Sequence, residues 1–133
     1  MSTKCLIAIK ENDNEYTSIC CHNNGYPRLV IETLRDFYNT DEKVKALIDL
    51  GDIVFLGATL NFCDDLYWNS KSLRPVTKTR DFHRWKNIPI HKMKFKSIKD
   101  MYKYANKIEC QYIYVWENNE WKTFWSICDS VVD

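Results

Sequence analysis

The residues that first suggest chemistry lie together at Cys20-Cys21-His22, where two thiols and an imidazole run into Asn23-Asn24-Gly25-Tyr26-Pro27-Arg28. A structural zinc site needs ligand pairs spaced C-x₂₋₄-C and a second pair elsewhere, so that a tight turn aims both sulfurs at one ion. Adjacent cysteines in a strand point to opposite faces. Only Cys20 and His22 would share one, and no second pair of suitable spacing follows. A Cys–His nucleophile pair also needs a group to orient the ring, and His22, His83 and His91 permit such an arrangement without specifying it. Asp64-Asp65 has no partner motif and reads as a cap or solvated turn, while three glycines cannot supply a P-loop or dinucleotide fingerprint. No catalytic residue, metal ligand or cofactor is expected.

Binding chemistry is better represented. A strand running into a helix at residues 20 to 30 would present unpaired amides and a partial positive charge, which suit an anion such as phosphate. Gly25 would let the backbone turn closely, and Asn23 and Asn24 donate and accept. Arg28 would reach the same anion, and Tyr26 offers a ring for stacking. A second cluster, RPVTKTRDFHRW, interleaves Arg74, Arg80 and Arg84 with Phe82 and Trp85, a composition suited to phosphates and bases. We expect the Gly25 to Arg28 entrance and one or more of these arginines to meet a pyrophosphate. Phe82, with Trp85 or Tyr26 as lesser candidates, would stack an adenine. The bland alternatives are a capped turn and aromatics that anchor the segment to the core.

Charge is split along the chain. Glu11 to Asp65 holds eleven acidic residues against four basic ones, whereas Lys71 to Lys107 holds twelve basic against two acidic. Such a division fits an anionic partner for the second half or a self-complementary oligomer, beside the plain reading of a solvated lysine face.

The elements that must position these residues follow from periodicity. Residues 4 to 10 and 16 to 22 read as a hairpin. Leu29, Val30, Leu34, Phe37 and Tyr38 mark a helix with Pro27 in its first turn. A second helix carries Val44, Leu47 and Ile48, with Asn39 or Thr40 as cap and Gly51 as stop, and a third carries Met101, Tyr102 and Ala105 behind a Ser97 cap. Two strands flank Asn118-Asn119. Residues 53 to 79 give no firm assignment. The expectation is one α+β domain, 1–133, with an antiparallel sheet of N- and C-terminal strands and about three helices packed on one face. The first apolar run, Cys5 to Ile9, is too short for a signal core or a membrane span, so a cytosolic protein with free thiols is expected.

Three motifs carry a resemblance. Cys21-His22-Asn23-Asn24-Gly25-Tyr26-Pro27 is similar to a C-H-W-D-G-Y-P loop, FYNTDEKVKALIDLGDIVFLG to H-Y-N-x-x-E-K-V-x-x-L-I-x-L-G-D-x-x-x-L-G, and Tyr112 to Trp121 to Y-x-Y-x-F-E-N-G-x-W. Across roughly its first 57 and last 25 residues the chain resembles the phage Thoeris anti-defence protein 1 family. Asn23, Asn24 and Asn119 depart from the loop Trp, the loop Asp and the turn Gly. The resemblance implies a non-enzymatic sponge, in the cytoplasm of an infected bacterium, that binds glycocyclic ADP-ribose or a related cyclic nucleotide intact and so blocks Thoeris immunity. It implies homo-oligomers, a dimer or multiple of dimers with pockets built from paired protomers, and a second class of site for cyclic oligonucleotides. His22 through Tyr26 fall in its matched loop. The rival readings are a nucleic-acid-binding phage protein using the basic 71–107 segment and, third, a nucleotide hydrolase.

Overall fold

A computed structural model describes residues 3–22, 25–57 and 92–125, with the backbone pairings of 68–69, 74–75 and 78–79. In chain order the elements are β1 (Lys4–Asn12), β2 (Glu15–Cys21), α1 (Pro27–Phe37), α2 (Asp41–Ile48), β3 (Ile53–Phe55), β4 (Trp68–Asn69), β5 (Arg74–Pro75), β6 (Lys78–Thr79), β7 (Met93–Phe95), α3 (Ile98–Lys107), β8 (Cys110–Glu117) and β9 (Glu120–Trp125). The main sheet has the order β6-β3-β2-β1-β8-β9, and β7 also pairs with β2; β4 and β5 form a separate ladder. The chain is α+β, with the N-terminal strands β1 and β2 and the C-terminal β8 inside its sheet and β9 at an edge.

Local signals produce the elements as expected. Pro27 opens α1, the Thr40 hydroxyl accepts from Lys43 N at the start of α2, and the Ser97 hydroxyl accepts from Asp100 N at the start of α3. Gly51 follows α2 with φ 78°, a conformation that costs glycine nothing. Asn118 and Asn119, with φ 54° and 61°, turn β8 into β9 through the left-handed region that tight hairpins require. No helix among the described residues is long and apolar enough to cross a membrane.

Two features of the expected sheet are corrected. The first is its direction: β1 pairs antiparallel with β2 but parallel with β8, so the sheet is mixed. Parallel neighbours need a crossover rather than a turn, and the long segment between β2 and β8 provides it. The second is its coverage. Cys5, Ile7, Ile9, Cys21, Tyr114 and Trp116 pack with α1 and α2 residues such as Val30, Leu34, Val44 and Leu47. Leu6, Ala8, Cys20, Ile113 and Val115 pack on the other face with Met101, Tyr102 and Ala105 of α3. A strand that is apolar at successive positions, as Cys5 to Ile9 is, must be buried on both faces.

The outer edge of β2 is shared. Its beginning pairs with β7 through Tyr16 to Ser18, and its end pairs with β3 at Cys21. In the gap between them the Cys20 amide donates to Asp52 Oδ1 at 2.9 Å, so a buried carboxylate takes the place of a missing strand partner.

Candidate functional site

The loop before α1 is fastened to the sheet at Gly25. Its N–H donates to Thr3 O at 2.9 Å, and its carbonyl accepts from the Tyr114 hydroxyl at 2.7 Å. A Cβ here would lie 2.9 Å from Thr3 O, 3.0 Å from Cys5 Cβ and 3.0 Å from the Lys4 carbonyl carbon. Gly25 therefore lets its own loop approach the start of β1 closely.

The helix entrance offers less to an anion than its sequence suggests. Pro27 has no N–H, and the amides of Leu29 and Val30 both donate to Tyr26 O, at 3.0 and 2.9 Å. Of the first amides, that of Arg28 has no backbone acceptor among the described residues. Arg28 and Tyr26 are exposed, so what this entrance presents is side chains rather than backbone.

The segments that carry the resemblance meet in space. Besides Tyr114 to Gly25, Trp116 Nε1 donates to Asp41 Oδ1 at 2.7 Å and Trp121 Nε1 to Tyr38 O at 2.8 Å, while the Tyr38 hydroxyl donates to Gly57 O at 2.7 Å. The aromatic pattern of β8 and β9 thus grips the loop and both helices above it. Burial, with the nearby Cys5 thiol next, pushes the Tyr114 phenol well above its ordinary range.

The thiols are packing groups. Cys5 and Cys21 face each other across β1 and β2 on the α1 side, and the Cys20 and Cys110 sulfurs lie 3.8 Å apart on the α3 side. Cys20 and Cys21 therefore point to opposite faces, and all four are buried thiols outside any disulfide. Burial and then the Cys21 hydrogen bond push Cys5 up, and the Cys20 hydrogen bond and then burial push Cys110 up. Such thiols are poor nucleophiles and poor metal ligands. No group of three metal-binding side chains occurs among the described residues.

One end of the sheet presents apolar side chains to solvent. Tyr26 is 46% exposed, Leu29 51% and Trp125 49%. They share a face and an end, because Gly25 binds Thr3, Cys5 pairs with Tyr112, and Tyr112 pairs with Trp125. The Tyr112 ring meets Trp125 edge-on with centroids 6.3 Å apart. Sequence reasoning named Tyr26 and Arg28 here but missed Leu29, Tyr112 and Trp125, whose alternation marks strand and helix without showing which side chains stay uncovered. His22 lies beside this loop, its N–H donating to Ile53 O at 3.0 Å. Arg74 belongs to β5, described only by its backbone pairing with Asn69. Asn23, Asn24, Arg80, Phe82, Arg84 and Trp85 lie outside the described residues. Compared with protein-family models, curated proteins and solved structures, the chain matches none.

Proposed function

We propose that this chain is a nucleotide sponge: it binds a cyclic ADP-ribose-type signal, glycocyclic ADP-ribose in the first instance, and holds it uncleaved, so that a phage blunts Thoeris immunity in the host cytoplasm. The observation that carries the reading is the exposed Tyr26, Arg28, Leu29 and Trp125 surface at the Thr3 end of the sheet. Aromatic rings stack a base whatever its edge, and a guanidinium forks onto a phosphate. Half-exposed as it is, this surface encloses a ligand when a second protomer covers it, which accords with the paired pockets that the resemblance implies. Binding of this kind needs no aligned nucleophile and base, and the buried thiols supply none.

Titration calorimetry with the cyclic ADP-ribose isomers tests the proposal, joined to recovery of ligand from heat-denatured protein. Stoichiometric binding and intact ligand are expected, and native mass spectrometry should show an even number of subunits. Trp125→Ala and Tyr26→Ala should each weaken binding by about 5- to 150-fold, the range for losing one stacked ring. No binding, or a cleaved product, sinks it.

A further inference from the structure

We infer that the β7–α3 segment, on the opposite side of the sheet from the nucleotide surface, is a track for single-stranded nucleic acid. Lys99, Lys103 and Lys107 recur every four residues, so they stand about 6 Å apart along α3 and within an arc of about 80°. All three are exposed, and the apolar side of the helix, Met101, Tyr102 and Ala105, is buried against the sheet. Lys96, also exposed, extends the row ahead of the Ser97 cap.

These four lysines differ from the others around them. Lys10, Lys92, Lys94 and Lys122 each have a carboxylate oxygen at 3.2 to 3.9 Å. Among the described residues, Lys96, Lys99, Lys103 and Lys107 have no such partner. Like charges four residues apart on a helix repel, so the row costs the helix stability that a repeating anion laid along it would restore.

At the Lys96 end the row opens into a depression of about 330 Å³ lined by Asn12, Asn14, Glu15, Lys94, Phe95 and Lys96. Glu15 is paired with Lys94 at 3.2 Å and accepts a hydrogen bond from Asn12 Nδ2 at 3.2 Å. Phe95 contributes a ring, held at 5.4 Å from Tyr104, and Asn14 contributes amide donors and an acceptor. A cationic row for the backbone leading to an aromatic recess for a splayed base is the arrangement that single strands use. A membrane surface is the poorer fit, since an interfacial helix buries its apolar face in lipid and α3 has already buried that face in the protein.

The test is fluorescence anisotropy of a labelled oligothymidylate of about 12 nucleotides, titrated with the whole protein between about 50 and 200 mM salt. With four phosphates neutralised, the plot of log K against log salt should have a slope of about −2.8. Lys99→Gln, Lys103→Gln and Lys107→Gln, exposed positions where glutamine is as good a helix former, should each reduce the slope by about 0.7. Lys43→Gln on α2, across the sheet, should leave it unchanged. Asn14→Asp should weaken binding at least about threefold by adding a charge beside the base. No binding at low salt, a slope indifferent to the three α3 substitutions, or equal binding to phosphatidylserine vesicles would overturn the inference.

Discussion

Gly25→Ala separates a glycine kept for its own fold from one kept for a ligand. The added methyl would sit 2.9 Å from Thr3 O and 3.0 Å from two further atoms, two of the three being backbone of Thr3 and Lys4, where β1, an inner strand of the sheet, begins. Backbone there cannot swing aside as a side-chain end would, so the loop must lift. Overpacking of this kind costs about 1–3 kcal/mol. Lifting also stretches the 2.9 Å Gly25–Thr3 and 2.7 Å Tyr114–Gly25 hydrogen bonds, each worth about 1 kcal/mol net. With both bonds lost, a total of about 3–5 kcal/mol follows, or roughly 15 °C in Tm for a domain of this size.

Urea unfolding should show the loss as a lower midpoint at unchanged slope. Tyr114→Phe alone should cost about 1–3 kcal/mol, because it leaves a buried carbonyl unpaired. Combined with Gly25→Ala it should cost less than the sum of the two, since both substitutions act on one contact. The reasoning is refuted if Gly25→Ala loses under about 0.5 kcal/mol, the scale of an ordinary surface change. A normal midpoint with weakened nucleotide binding would instead return Gly25 to the ligand.

Other perturbations address single contacts. Trp116→Phe removes the 2.7 Å bond from the indole to Asp41 and should cost about 1.5–3 kcal/mol in urea unfolding, as hydrogen bonds to charged groups do. Ser97→Ala removes the α3 cap and should cost about 1 kcal/mol, with exchange protection lost first at the Asp100 amide, whose acceptor is the Ser97 hydroxyl. The Tyr114 phenol has its pKa raised in the fold, so below about pH 10 it is neutral in both states and its contribution is whole. As pH rises past that value the unfolded chain ionises first and stability falls. Unfolding midpoints at about pH 9 and about pH 11 should therefore diverge more for the wild type than for Tyr114→Phe.

Much of the secondary structure was legible because its causes are local. Pro27, Thr40, Gly51, Ser97 and Asn118-Asn119 each act within a turn of where they stand, and the structure uses all of them as the sequence suggests. The opposite facing of Cys20 and Cys21 follows from strand geometry alone. Burial on both faces was also written in Cys5 to Ile9, as an unbroken apolar run where a sheet covered on one side would alternate. The candidate site was half legible. Tyr26 and Arg28 could be named from their loop, whereas Trp125 and Leu29 became part of the surface only when pairing brought β9 beside the start of α1.

Residues a few places apart were enough to set the hairpins, the three helices and their caps, and the alternate facing of the strand cysteines. Tertiary structure decided that β8 lies parallel to β1, that α3 takes the face opposite α1 and α2, and that Asp52 fills a gap in the edge of β2. It also decided that Gly25 is held by Thr3 and Tyr114, residues 22 positions before it and 89 after it. Such contacts depend on where a distant strand comes to rest, and that is settled by competition among all the apolar surfaces at once rather than by any local pattern.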